Sequence, residues 1–165
     1  MKIRRLDRVD EQTIGQLADL TKDCVDGGAS IGFMQPFTRD RAIAFWRTVA
    51  AAVAGGQRAL LIAEDDQGVC GTVQLIFDLP DNQPHRADLA KMQVHRRARR
   101  HGVGAGLLHA AENTARANGK TLLVLDAVTD GDAARLYERE GWATSRTTGS
   151  IPTAATAARR TSIET

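Results

Sequence analysis

One segment, residues 86–128, restricts the possible folds more than any other part of the 165-residue chain. Arg86–Val94 is typical of a strand, Val103–Asn118 has the length and periodicity of a helix, and Thr121–Val128 is strongly apolar. A strand, a helix and a second strand in this order predict a parallel βαβ unit, whose second strand is buried on both faces. The chain is therefore expected to contain two parallel strands connected by a helix.

The rest of the pattern predicts a mixed α/β fold around this unit. The other expected elements are a first strand near residues 3–6, a helix at Glu11–Cys24, a helix with N-cap Thr38 that ends at Gly55-Gly56, hairpin strands at Ala59–Glu64 and Val69–Phe77, and a short helix at Asp132–Glu140. We expect one domain over residues 1–165, with a mostly antiparallel mixed sheet, a central parallel βαβ unit and flanking helices. The course of residues 150–165 stays open, because they are rich in Thr and Ala, and no final strand is expected there.

Composition excludes several classes of protein. Hydrophobic residues make up 42% and charged residues 25% of the chain, with a formal charge of +2, which is ordinary globular composition and does not demand a polyanionic partner. Cys24 and Cys70 have no short spacing to each other or to a histidine, so we expect reduced thiols and no metal site. The first residues lack a signal peptide's apolar stretch, and no run of about 18 apolar residues occurs. A cytoplasmic protein without membrane contact is the expectation.

The turn between strand 86–94 and the next helix carries the strongest chemical signal. Glycines stand at positions 102, 104 and 106, directly after a run with arginines at 96, 97, 99 and 100. The start of a helix has unpaired backbone N–H groups and partial positive charge, so it accepts phosphate oxygens, and glycine allows close approach of a ligand. The alternative is that this segment binds no ligand and is only a tight connection between the strand and the helix, with its arginines in solvent. The turn is not a Walker loop, since no Gly-Lys-Ser/Thr sequence closes it.

Two motifs in this region resemble a known family. Arg99-x-x-Gly102-x-Gly104 is similar to the acyl-coenzyme A signature of the GNAT superfamily of N-acetyltransferases, and Ala133-x-x-Leu136-Tyr137-x-x-x-Gly141-Trp142 is similar to a second family segment. Stretches 26–34 and 86–92 resemble the tabtoxin-resistance acetyltransferase group, whose members inactivate an amino-bearing β-lactam toxin. The resemblance implies acetyl-CoA as co-substrate and an amine on a small molecule, such as a toxin or antibiotic, as acceptor.

The resemblance also implies roles for individual residues. Tyr137 corresponds to the tyrosine that protonates the departing thiolate, and a backbone N–H near Met92 is expected to hold the oxyanion. The residues expected at acetyl-CoA are Met92, Val94, Arg99, Arg100, His101, Gly102, Val103, Gly104 and Ala105. Direct attack by the amine is favoured over an acyl-enzyme, because neither cysteine has the neighbours of an activated nucleophile.

Two carboxylates are candidates for the general base. Strict alternation along strand 86–94 places Asp88 on one face with Ala90, Met92 and Val94, where apolar surroundings would make a carboxylate a better proton acceptor. The alternative is a carboxylate held by Arg86 or by a backbone amide. Asp126 stands at the carboxyl end of the apolar strand, where ligands of α/β sheets gather, and its alternative role is to cap the next helix.

The sequence says less about the acceptor pocket and the protein's partners than about the acetyl-CoA site. The glycine-containing loop at 26–34 predicts a pocket wall made by Phe33 and Met34 with Ser30 as a polar contact, although an ordinary helix–helix connection explains it nearly as well. Protein or peptide acetylation stays open as an alternative, as does a sensor that binds the cofactor without catalysis. A nucleic-acid-binding module using residues 91–100 is disfavoured, because aromatic residues make up 4% of the chain and none interrupts this run. We expect a monomer or a homodimer, with no nucleic acid as partner.

Overall fold

The computed structural model describes residues 1–29, 33, 36–79, 81–128, 132–146 and 154–160. The α-helices of this part are α1 (Glu11–Asp26), α2 (Arg39–Ala54), α3 (Val103–Ala117) and α4 (Asp132–Arg139). The strands are β1 (Lys2–Leu6), β2 (Arg58–Asp65), β3 (Gly68–Ile76), β4 (Arg86–Val94), β5 (Leu122–Val128), β6 (Ala143–Arg146) and β7 (Ala154–Arg160). They form one sheet in the order β1-β2-β3-β4-β5-β7-β6. Only β4 and β5 pair in parallel among these strands, which confirms the predicted fold class.

The two N-terminal helices begin at side-chain caps. Asp10 Oδ1 accepts a hydrogen bond from the Thr13 backbone N–H at 2.8 Å, and Thr38 Oγ1 accepts one from the Arg41 N–H at 3.2 Å, as expected for the second helix. Gly55 ends α2 at the predicted position. In the described part of the chain, no helix is long and apolar enough to cross a bilayer.

Both faces of the sheet are covered. Along β2, Leu60 and Ile62 pack with Trp46 in the core under α1 and α2, whereas Leu61 and Ala63 belong to the core under α3. Successive strand residues point to opposite faces, so two cores require apolar residues at every position. The continuous apolar runs of the central strands therefore follow from the helices on both sides.

The parallel pair of strands separates after three residues. Residues 86–88 of β4 pair with residues 122–124 of β5, and no further pairs between these two strands occur in the described chain. Beyond this point β4 continues along β3, while β5 continues along β7. An opening therefore forms between the carboxyl halves of β4 and β5, and along it the β4 backbone has no neighbouring strand on that side.

A β-bulge interrupts β4 beside this opening. Lys91 and Met92 lie opposite the single β3 residue Val73, and Lys91 has a positive φ of 55°. An extra residue on one strand shifts the alternation of side chains by one position. The two halves of β4 therefore do not share the same alternation.

This shift corrects the face expected for Asp88. Leu89 belongs to the core under α3, so Asp88 points to the opposite face, towards α1 and α2. After the bulge, Met92 and Val94 pack against the α3 core, whereas Gln93 contacts α1. The expected common face of Asp88 with Met92 and Val94 is wrong, because the bulge reverses the pattern between them.

Gln93 is fixed by a buried polar cluster directly after the bulge. Thr21 Oγ1 lies 2.8 Å from Gln93 Oε1, 2.9 Å from the Trp46 Nε1 that donates to it, and 2.9 Å from the Leu17 carbonyl oxygen. A hydroxyl has one proton, so it cannot donate to both oxygens. Exchanging the oxygen and nitrogen of the Gln93 amide satisfies all three contacts and gives a partner to Nε2, otherwise buried without one. The cluster holds β4 against both N-terminal helices.

The C-terminal part contains a strand that was not expected. β7 lies inside the sheet, paired with β5 from Leu122 to Val128 on one side and with β6 on the other. Its sequence of alanines, threonine and arginines carries little apolar signal. The expectation of no final strand is wrong, because backbone pairing on both edges, and not large apolar side chains, defines this strand.

Candidate active site

The turn that follows β4 holds two residues in the left-handed region before α3 begins. Arg100 has a φ of 62° and Gly102 a φ of 78°, and a Cβ added to Gly102 would meet no atom within 4 Å. Gly102 is the N-cap of α3 and supplies no side chain to cap it. Helix geometry leaves the first N–H groups, at Val103, Gly104 and Ala105, without an intrahelical acceptor. The turn is therefore open and rich in backbone donors, an arrangement that suits an anion.

The other two glycines of the turn have packing reasons for their presence. A Cβ on Gly104 would lie 2.9 Å from Leu136 Cδ2 of α4, and a Cβ on Gly106 would lie 2.6 Å from Ile3 Cδ1 of β1. Both distances are too short for real Cβ contacts. Gly104 therefore lets α4, which carries Tyr137, approach the start of α3.

Two of the four arginines beside the glycine turn are held by carboxylates. The Nε of Arg96 lies 2.5 Å from Asp23 Oδ1 in α1, and the Nε of Arg97 lies 2.9 Å from Asp65 Oδ2 at the end of β2. Asp65 has a lowered pKa, chiefly because of its hydrogen bond from Arg97. These two arginines fix the turn to its surroundings and are not a free cationic surface.

The other basic residues of the turn are exposed to solvent. Arg99 Nε donates to the Val94 carbonyl oxygen at 3.2 Å, and Arg100 and His101 are exposed. Positive charge next to unpaired N–H groups strengthens an anion site. Of the four arginines, Arg99 and Arg100 are thus placed to supply it.

Tyr137 lies in the core under α3, on the same side of the sheet as Met92 and Val94. The residue is 4% exposed, and burial raises the pKa of its phenol to about 12. None of the described residues forms a hydrogen bond with its hydroxyl. Its proton-donating group is therefore free of competition from the described chain.

A buried network next to Tyr137 was not found from the sequence. The Tyr137 ring packs against Trp142 with a centroid separation of 5.7 Å, and Trp142 Nε1 donates to Glu112 Oε1 at 3.2 Å. Glu112 is 4% exposed and also lies 3.4 Å from Arg159 Nε of β7 and 3.8 Å from Arg116 Nη2. The sequence contains one indication of this network. Trp142 stands where the family segment has Phe, and a buried indole N–H needs a hydrogen-bond acceptor.

Of the two candidate general bases, the structure describes the side chain of Asp88 but not that of Asp126. Asp88 Oδ1 accepts a hydrogen bond from Arg86 Nε at 2.8 Å, and its side chain is 31% exposed. The apolar surroundings expected for Asp88 are therefore absent, and the alternative pairing with Arg86 is present. Asp126 lies in β5, opposite Thr156 of β7, and its side chain is outside the described part.

An aromatic cluster that includes Phe33 of the predicted acceptor loop lies on the α1/α2 side of β4. The Phe33 ring is 4.6 Å from the Phe37 ring and 5.0 Å from the Phe45 ring. The Lys91 ammonium, displaced by the bulge, lies 4.6 Å from the centroid of Phe33 and 5.7 Å from that of Phe45. Lys91 and Phe45 were not among the residues predicted from the sequence, and Ser30 and Met34 lie outside the described residues.

Known proteins share both the sequence pattern and this fold. Residues 56–144 match the family model of the acetyltransferase (GNAT) domain. An uncharacterized N-acetyltransferase from the hisH–hisA intergenic region of Azospirillum brasilense is 30% identical over 126 residues, which cover 75% of this chain and 73% of that protein.

Two solved structures illustrate the similarity in fold. The structure of yncA from Salmonella typhimurium with its cofactor acetyl-CoA is 18% identical, with a TM-score of 0.77 over 99% of this chain and 95% of that one. The aminoglycoside 6'-acetyltransferase type Ii is 17% identical, with a TM-score of 0.75 over 97% of both chains. With the matched family model and the open turn after β4, these similarities lead to one conclusion: the chain belongs to the GNAT family of acetyl-CoA-dependent N-acetyltransferases.

Proposed function

We propose that this protein transfers the acetyl group of acetyl-CoA to the amine of a small molecule, by direct attack of the amine on the thioester. One observation carries the proposal. The opening between β4 and β5 leads directly to the turn at Gly102, where the N–H groups of Val103, Gly104 and Ala105 lack intrahelical partners. The free edge of β4 is followed directly by the donor-rich turn, and this arrangement suits a long ligand with a diphosphate at one end.

The turn supplies the groups that a diphosphate needs. Backbone N–H groups at the start of α3 would donate to its oxygens, Arg99 and Arg100 would add positive charge, and the His101 ring would lie beside them. The exposed edge of β4 at Met92 and Val94 would hydrogen-bond the pantetheine amides as an additional strand does.

The reaction forms a C–N bond and breaks a C–S bond. The neutral amine attacks, a backbone N–H near Met92 donates to the developing oxyanion, and the amine proton passes to a base. An alkyl amine has a pKa of about 10.4, so producing its neutral form at pH 7 costs about 4–5 kcal/mol. A base and a site that excludes water are therefore required.

Tyr137 would donate to the sulfur as its charge develops. The pKa of its phenol, about 12, is about 3.5 units above that of an ordinary thiol, so complete transfer to a solvated thiolate costs about 5 kcal/mol. A thiolate that departs into the same buried site also has a raised pKa, which reduces this gap. Tyr137 thus acts as a hydrogen-bond donor early in the step and as a proton donor only while the sulfur stays buried.

Asp88 and Asp126 stay the two candidates for the base. Asp88 lies on the α1/α2 face with Lys91 and the Phe33 ring, where the acceptor would enter, but it would accept the proton while paired with Arg86. Asp126 lies in the half of β5 that has separated from β4. Both positions border the opening.

The acceptor is proposed to be a small amine, with an amino-bearing toxin or antibiotic as the favoured kind. The aromatic cluster of Phe33, Phe37 and Phe45 supports this by forming a compact wall on the acceptor side. Acetylation of a protein or peptide is the second candidate. A nucleic-acid module is disfavoured, because Arg96 and Arg97 are paired with carboxylates.

The test compares two glycines with the same backbone conformation. Gly102 and Gly56 have φ values of 78° and 75° with no atom within 4 Å of an added Cβ, so alanine at either position should cost about 1 kcal/mol of stability. Acetyl-CoA, but not NAD or a short DNA duplex, should raise the melting temperature of the wild-type protein. Gly102→Ala should weaken acetyl-CoA binding at least about 10-fold, and Gly56→Ala should not.

Thiol release with a panel of small amines and peptides then identifies the acceptor class. Turnover of peptides but not of small amines would favour the second candidate. Equal acetyl-CoA affinity of the two glycine variants would contradict the proposed position of the diphosphate.

A further inference from the structure

Glu112 is a buried carboxylate on the face of α3 that packs into the core. The residue is 4% exposed and shares this face with buried valine, leucine and alanine side chains. Its Oε1 accepts a hydrogen bond from Trp142 Nε1 at 3.2 Å and lies 3.4 Å from Arg159 Nε, and its Oε2 lies 3.8 Å from Arg116 Nη2. A buried charge is costly unless it is paired and hydrogen-bonded. The carboxylate therefore joins α3 to β7 and to the segment that follows α4.

Trp142 belongs to the motif that ends α4. Its backbone N–H donates to the Tyr137 carbonyl oxygen at 2.9 Å, the Gly141 N–H donates to the Glu138 carbonyl oxygen at 3.1 Å, and Gly141 has a φ of 84°. This is the Schellman arrangement, in which the side chains at the two ends of the motif commonly pack together. Here those side chains are Tyr137 and Trp142, whose ring centroids lie 5.7 Å apart. The positions of the indole and of the phenol ring are therefore coupled.

α4 buries little surface of its own, so its orientation depends on a few contacts. Of its eight residues, Tyr137 is the buried one. Leu136 approaches the first turn of α3 at Gly104. Trp142 reaches Glu112, which lies eight residues further along α3 and so about 12 Å away from that first contact. Two contacts this far apart fix the rotation of α4 as well as its position.

We propose that Glu112 is a positioning residue, which acts through Trp142 to hold the Tyr137 ring where its hydroxyl meets the departing sulfur. The inference rests on the proposed function, in which Tyr137 donates to that sulfur. The hydroxyl forms no hydrogen bond within the described chain, so the packing of the ring determines where its proton lies. A misplacement of about 1 Å at a reacting group can cost about 100-fold in rate. Loss of the Glu112 acceptor should therefore slow the chemical step.

The kinetic test measures two replacements of Glu112, in the wild-type protein and in Tyr137→Phe. Glu112→Met removes the acceptor and should lower kcat about 10-fold, by no more than Tyr137→Phe does, with the KM for acetyl-CoA within about twofold. Glu112→Gln keeps an oxygen for the indole and changes only the atom that faces Arg116, so kcat should stay within about threefold of the wild-type value.

The double variant distinguishes positioning from a general loss of structure. In Tyr137→Phe, the further change Glu112→Met should lower kcat less than about twofold, because the proton donor that Glu112 positions is already absent. An equal loss in both backgrounds, or an unchanged kcat in Glu112→Met, would overturn the inference. If Glu112→Met fails to fold, judged by circular dichroism, Trp142→Phe removes the same hydrogen bond from the other side and replaces it in both backgrounds.

Two control variants should leave kcat unchanged. Glu64→Met makes the same substitution in a glutamate that pairs with Arg4 at 3.0 Å, between β1 and β2. His109→Gln removes the pair with Glu140, at 2.8 Å, which also joins α3 to the end of α4 but is exposed at the histidine and contributes little in water. A loss of kcat in either control as large as in Glu112→Met would contradict the specific role of Glu112.

A spectroscopic measurement separates this inference from the proposed function. Tyr137 is the sole tyrosine of the chain, so protein labelled with 3-fluorotyrosine gives one fluorine NMR resonance, from that ring. The resonance should shift or broaden in Glu112→Met and keep its position and width in Glu64→Met. This result in a protein that acetylates none of the amines would refute the proposed activity and support the positioning of the ring. Turnover of small amines with an unchanged resonance in Glu112→Met would do the reverse.

Discussion

Replacement of Thr21 by valine should cost much more stability than its size suggests. Valine has nearly the shape of threonine, so no cavity forms, but the hydroxyl that joins Trp46 Nε1 and the Gln93 amide is lost. Trp46 and Gln93 are 0% and 2% exposed, so water cannot replace the hydroxyl. Each buried polar group left without a partner costs about 1–3 kcal/mol. With two such groups, we expect Thr21→Val to lower the free energy of unfolding by about 2–6 kcal/mol.

Urea denaturation of Thr21→Val and of a matched variant measures this cost. Thr48 is an exposed threonine of α2, and its hydroxyl donates only to the Ala44 carbonyl oxygen at 3.2 Å. Thr48→Val makes the same chemical change with an expected effect of less than about 0.5 kcal/mol. The unfolding midpoint of Thr21→Val should fall with an unchanged m-value.

The same variant connects stability to the site. Gln93 follows the bulge at Lys91 and Met92, so a loosened Gln93 should disturb the β4 edge and raise the KM for acetyl-CoA. The reasoning would be refuted if Thr21→Val were as stable as Thr48→Val, since the buried donors would then have found other partners.

The remaining predictions concern the chemical step. Tyr137→Phe should lower kcat about 10- to 100-fold and leave acetyl-CoA affinity within about twofold. Because the pKa of Tyr137 is about 12, no alkaline limb of kcat below about pH 11 should arise from it; a limb near pH 9 that disappears in the variant would contradict this assignment. Of Asp88→Asn and Asp126→Asn, the one that removes the base should lower kcat/KM about 100-fold or more and abolish the acidic limb of its pH profile. Near-wild-type profiles for both would exclude both carboxylates.

Elements with strong local signals could be predicted from the sequence. Thr38 begins α2 and Gly55 ends it, and residues 86–128 form the expected parallel unit. These features are determined by residues that are close together in the sequence, so a short stretch of sequence is enough to predict them. The β7 strand lacks such a signal, because its two partner strands define it.

The positions of the candidate site residues in the fold could be predicted where a motif marked them, and less so where distant residues meet. Tyr137 lies in the predicted helix. Glu112, in contrast, would be taken for an ordinary surface residue from its local sequence, because its partners Trp142 and Arg159 are distant in the chain. The face of Asp88 depended on a bulge set by pairing with β3, which strict alternation cannot reveal.

The position of β7 also constrains the order in which the sheet assembles. β6 precedes β7 in the chain, yet its strand partner in the described structure is β7, which itself must pair with β5. Residues 143–146 therefore cannot join the sheet as an edge until residues 154–160 have docked. Arg159 arrives with that strand and brings a counter-charge to Glu112, beside Trp142 and Tyr137. In a folding chain, the counter-charge that Arg159 supplies to Glu112 is therefore present only once residues 154–160 have docked beside β5.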